Sequence, residues 1–200
     1  MLDKFRSHAI SAEEKLYTAI RFYGTGTFQL VVGDLVGISR TSVSRIIKEV
    51  SEAIASLKND YIYMPRNQQE INNAYEKFFE IGKFPTVIGT IDCSHIKIKG
   101  QGGTDGEVFR NRKQYFSINV QSVASADLQF QDVVARWPGS THDSYIFNNS
   151  RIKQRFENGE FGVSVLLGDG GYKLQKYLMT PLRLISGVTL FVCLFSKMCA

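Results

Sequence analysis

The sequence predicts two unlike parts, an all-helical segment followed by an α/β unit with a mixed sheet. Three observations carry this. Apolar residues recur at helical spacing through the first sixty residues. β-Branched and alternating runs begin after residue 83, and they are ordered strand, strand, strand, helix, strand. Two hundred residues with 44% hydrophobic content suffice for one full domain, or one domain with a small accessory unit.

In the helical part, Leu16, Ala19, Ile20 and Tyr23 recur at helical spacing, with Ser11 as the N-cap. Gly24 and Gly26 break that pattern, and a short second helix is expected over 28–36. Gly37, Ile38 and Ser39 form a turn. A third helix is expected from about Thr41, carrying Val43, Ile46, Ile47, Val50 and Ile54 on one side. A linker containing Pro65 leads to a helix over 68–81, ending at Gly82. Strands are expected over 86–91, 115–123 and 130–137, a helix over 143–156, and a short buried strand over 163–167 ending at Gly168-Asp169-Gly170. The resulting division is 1–62 helical, 63–84 linker and helix, 85–182 α/β core and 183–200 a divergent tail.

The stretch QLVVGDLVGISRTSVSRIIKEV has the pattern of a helix-turn-helix. Gly33 sits where two helices must approach closely, Gly37 lies in the turn, and Val43 anchors the following helix. Arg40, Thr41 and Ser42 cluster at the start of that helix, where base edges are read. Arg45 and Lys48 add cations for phosphates. The competing reading is a plain helical bundle with a solvated basic face. The formal net charge of +5 agrees with a polyanion partner without requiring one.

Three aspartates stand at the ends of predicted elements. Asp92 follows the run TVIGTI, Asp143 lies in PGSTHDS before a helix, and Asp169 follows the last short strand. Carboxylates at such ends can converge in one crevice and hold hard divalent cations. Each also has a plain structural reading: an Asx-turn for Asp92, a helix N-cap for Asp143 and a turn residue for Asp169. Their order in a βββαβ pattern is the one an RNase H-like nuclease core needs.

Other residues weigh less. Cys93, His95 and His142 flank the aspartates, but their spacing supplies no four-ligand zinc set. Arg110, Arg112 and Lys113 follow the glycine-rich stretch GQGGTDGE and have two readings, phosphate contact or a solvated loop. That stretch lacks the GK[ST] of a nucleotide-binding loop. Trp137, Tyr145 and Phe147 read as core, and Ser140, His142 and Asp143 are too close in the chain to form a triad. The three cysteines, Cys93, Cys193 and Cys199, include no CxxC pair and fit a reducing compartment. The longest apolar run, over 188–195, is too short to span a bilayer, and no membrane partner is expected.

The segments GTIDCSHIKI, YFSINVQSVASADLQFQDVVARWPGSTHDSYIF and LLGDGGYKLQKYLMTP resemble the DDE nuclease domain of PIF/Harbinger transposases and the nucleases derived from them. The resemblance covers most of residues 15–182. It implies an RNase H-like fold, a divalent cation (Mg²⁺ or Mn²⁺) held by Asp92, Asp143 and Asp169, DNA as substrate, and a nuclear setting with the cytoplasm as a second location. It also implies a Myb-like partner protein. The family's glutamate, expected twenty to forty positions after Asp169, has no counterpart in LISGVTLFVCLFSKMCA. The tail therefore reads as a replaced or truncated segment. Two functions follow as expectations: a metal-dependent endonuclease, or a catalytically inactive DNA-binding protein working through its helical segment and a partner. A fragment that does not fold is a third.

Overall fold

The computed structural model describes residues 9–100 and 104–181. The predicted tail over 183–200, with Cys193 and Cys199, lies outside them. The chain forms two compact units that divide between Asp60 and Tyr61.

The first unit is built from α1 (Ala12–Thr25), α2 (Gln29–Val36) and α3 (Arg40–Ser56). Ser11 caps α1 through a reciprocal bond pair with Glu14, and Gly26 closes it with φ +59°. Ser39 caps α3 by accepting from the Ser42 backbone N–H. A Cβ on Gly33 would stand 2.6 Å from the Ile38 carbonyl oxygen, so only glycine admits the approach of the turn. Ala19, Ile46 and Val50 form the core, with Ile10 and Ile38 against it. The expected apolar stripe of α1 is only partly used: Leu16, Ile20 and Tyr23 are exposed, because α3 covers just the Ala19 side.

A short α4 (Lys58–Tyr61) precedes α5 (Gln68–Gly82), whose Asn67 N-cap accepts from Glu70 N–H. In the second unit α5 packs on the sheet, with Ile71 and Phe78 buried in it. The sheet has the order β3-β2-β1-β4-β5, from β1 (Val87–Lys97), β2 (Ser117–Ala124), β3 (Phe130–Pro138), β4 (Val165–Gly168) and β5 (Leu178–Met179). The first three are antiparallel neighbours, and β4 runs parallel to β1, as does β5 to β4. This is the RNase H-like arrangement expected from the sequence. α6 (Asp143–Asn148) and α7 (Arg151–Glu157) occupy the crossover from β3 to β4.

Two expectations need correction. The helix over 143–156 is two helices, because Ser150 is buried and caps a new one by accepting from the Lys153 N–H. And β1 does not stop near Asp92. Its pairing with β4 ends at Ile91↔Gly168, but its pairing with β2 continues to Lys97↔Ser117. Asp92 is thus inside a strand, at the point where that strand loses its parallel neighbour.

The largest core cluster joins Ile88, Ile91, Val123 and Leu166 of the sheet to Phe147, Ile152 and Phe156 of the crossover helices and to Tyr172. Phe147 is core, as expected, but Tyr145 is exposed and meets the Trp137 ring edge-on at 5.3 Å.

Candidate active site

The parallel pairing of β1 and β4 decides where two of the acids stand. Ile91 lies opposite Gly168, so Asp92, still paired to Ser122 of β2, and Asp169, the first residue past β4, both follow directly on the end of the parallel pairing. Asp169 then enters a tight loop whose Gly171 N–H donates to Asp169 Oδ1 at 2.8 Å. Ser144 Oγ, in the first turn of α6, donates to the Gly171 carbonyl and ties this loop to the helix.

That tie brings in Asp143. A Cβ built on Gly171 would stand 3.0 Å from Asp169 Oδ1 and 3.4 Å from Asp143 Oδ2, in the space between the two carboxylates. Asn119 sets the orientation of Asp143. Its amide, 1% exposed on β2, donates to Asp143 Oδ1 and to the Thr141 carbonyl, both at 2.9 Å. Asp92 Oδ1 accepts from the Cys93 N–H at 2.7 Å. Burial, and then the charges of Asp169 and Asp143, hold the Asp92 carboxyl above the ordinary aspartate range, opposed by that one hydrogen bond.

Strand alternation separates the neighbours of these acids. Cys93 faces the core side, where its thiol meets the Tyr172 hydroxyl at 3.2 Å, and burial pushes both groups' pKa values up. Asp92 falls on the opposite side with Thr90, Ser94 and Ile96, in an open groove of about 500 Å³ shared with Val120, Ser122 and Phe130. The acids therefore approach the end of β4 from both sides of the sheet. Among the described residues, no group of three or more His, Cys, Asp or Glu side chains is placed to hold a metal ion as it stands. The donor type fits a hard divalent cation: carboxylate oxygens, crowded like charges, and a glycine whose missing side chain leaves the space between two of them.

The remaining predicted residues are distributed as follows. Arg40, Thr41, Arg45 and Lys48 are exposed on α3, Lys48 with an i,i+4 contact to Glu52 at 3.9 Å, while Ser42 is half-buried and bonded to the capping Ser39. His142 receives a hydrogen bond from Arg112, and His95 meets Ser117 Oγ at 3.1 Å. Asn119 was not among the predicted residues. Its signal is faint: β2 buries Ser117, Asn119 and Gln121, polar residues on the inward face, while Ile118 and Val120 face the other way.

Residues 91–187 match the model of the DDE superfamily endonucleases. The α/β unit is similar to that family over these residues. The chain is 35% identical over 179 residues to the "Putative nuclease HARBI1" of Bos taurus, covering 90% of this chain and 51% of the bovine protein. The Homo sapiens protein of the same name gives the same values. "Protein ALP1-like" of Arabidopsis thaliana is 27% identical over 186 residues, covering 86% of this chain and 45% of the plant protein. The chain thus spans about half the length of the curated relatives it matches. Among solved structures, the Mos1 mariner paired end complex with Mn is 12% identical with a TM-score of 0.31, covering 98% of this chain and 67% of that one.

Proposed function

We propose that the chain is a metal-dependent endonuclease of Harbinger transposase descent that hydrolyses DNA phosphodiester bonds. The observation that supports this best is the loop of Asp169 to Gly171, tied to the start of α6 so that the Asp143 and Asp169 carboxylates flank one small space. Asp92, Asp143 and Asp169 would hold Mg²⁺ or Mn²⁺. The bound ion supplies an activated water and offsets charge on the leaving oxygen. Asn119 holds Asp143 in place, and the half-buried Asp92 supplies a carboxylate that is costly to ionise until a cation is near. In the first unit, Arg40, Thr41, Ser42, Arg45 and Lys48 form the DNA-contacting end of the helix-turn-helix. The reading carries with it nuclear residence and a Myb-like partner protein, tested by imaging the tagged chain and by co-precipitation.

The deciding experiment is plasmid nicking by the purified chain with Mg²⁺ or Mn²⁺, beside EDTA and an Asp92→Ala control. Nicking that requires both the ion and Asp92 supports the reading. A folded protein that never nicks overturns it in favour of the second reading, a catalytically inactive DNA-binding protein. What favours that second reading is the approach of the acids from two sides of the sheet, with no three ligands gathered at one point among the described residues.

A further inference from the structure

Residues 110–114 carry three cations, and the fold uses them differently. Arg110 is bound to Glu107 at 2.7 Å and lies over the Phe116 ring at 4.4 Å. Arg112 and Lys113 are exposed, and neither forms an ion pair with a carboxylate among the described residues.

The loop that presents them is built from the inside. Asn111 is 3% exposed; its Nδ2 donates to Ser117 Oγ at 3.0 Å, and its Oδ1 accepts from the backbone N–H groups of Lys113 at 2.9 Å and Tyr115 at 3.3 Å. Gln114, with φ +65°, closes the turn. Gly139 backs onto the same Ser117: a Cβ there would stand 2.2 Å from Ser117 Oγ and 2.7 Å from the Phe109 carbonyl oxygen. The loop and the corner leading to His142 are therefore fixed to one another. Across that join the Arg112 guanidinium donates to His142 Nδ1. A guanidinium has only donors, so Nδ1 is the acceptor of this bond. His142, which takes this guanidinium, immediately precedes Asp143 in the chain.

We propose that Arg112, held by His142 and flanked by Lys113, is a phosphate seat that binds a DNA backbone phosphate beside the Asp143 carboxylate. DNA as the ligand rests on the nuclease reading above. A polyanion approaching the Asp143 and Asp169 carboxylates meets repulsion, and a nearby guanidinium offsets it, with a donor fork that matches phosphate oxygens.

The test uses the full chain, a short duplex of arbitrary sequence and EDTA, with affinity measured by anisotropy across a salt series. Arg112→Ala is expected to weaken binding about tenfold at low salt and to lower the slope of log K against log salt by about one phosphate. Arg112→Lys keeps the charge and so keeps most of the slope. Arg112→Gln, which retains the length of the side chain, loses it as Ala does. Wild-type slope and affinity in both neutral variants, with unchanged melting temperature, overturn the seat. Failure of every form to nick plasmid, with the slope change still present, removes the nuclease reading and leaves the seat standing.

Discussion

At the scale of single residues, Asp92 gives the sharpest prediction. Its folded pKa is raised, so the folded state holds the proton better than the unfolded chain does. The stability it contributes is complete below the unfolded value, about pH 4, and is lost as pH rises through the folded value. At neutral pH without a cation, ionised Asp92 therefore opposes folding. Asp92→Asn is expected to raise the melting temperature at pH 7 in EDTA, with the gain shrinking as pH falls toward about 4. Mg²⁺ or Mn²⁺ should raise the melting temperature of the wild-type chain more than that of the variant. A variant that melts lower than wild type at pH 7 would contradict this assignment. Gly171 tests the neighbouring space. Its residue is exposed, so Gly171→Ala should leave the melting temperature nearly unchanged, while crowding Asp169 and Asp143 enough to lower nicking. Equal nicking by the two proteins would show that the space between these carboxylates is not used.

At the scale of elements, α3 is defined by its start. Ser39→Ala removes the cap and is expected to cost about 1 kcal/mol, read as a lower melting temperature of the helical signal. Gly33→Ala is expected to cost about 1–3 kcal/mol, because the new methyl meets a backbone oxygen that cannot swing aside. A circular-dichroism melt indistinguishable from wild type would mean that the turn relaxes around it. The close approach at Gly33 was legible in the sequence because such glycines act over a few residues, whereas Ser39 read as part of the turn and the structure makes it the cap of a helix that starts at Arg40. What was not legible depends on partners far away. The polar run DCSHIK remains a strand only because β2 pairs with it, and nothing local announces that pairing. The break between α6 and α7 follows from burial of Ser150, and the two-residue β5 exists through its pairing with β4. Of the candidate site, the identities of the acids could be read from the chain. Their division between two sides of the sheet, and Asn119 and Asn111 as anchors, could not, because a buried polar face on β2 reverses the usual meaning of alternation.

At the scale of the molecule, β1 is the strand on which the second unit depends. It is flanked by β2 and β4, and Val87, Ile88 and Ile91 are fully buried. Amide hydrogen exchange should therefore be slowest in the unit at Thr90 and Ile91, which lie in both ladders, and much faster in β3, which among the described residues has a partner on one side only. Comparable protection of β3 would indicate a further covering element.

The late arrival of β4 also sets an order of events during synthesis. β1, β2 and β3 are consecutive, and they can zip together as soon as residue 138 has emerged. The other edge of β1 stays open until residues 165–168 are made, and Asp169 comes directly after them. A ribosome-bound chain thus carries Asp92 at an incomplete sheet edge, with no neighbouring acid across it. The three carboxylates come within reach of one another only when the sheet closes, and until then the open edge of β1 is the surface most exposed to mispairing.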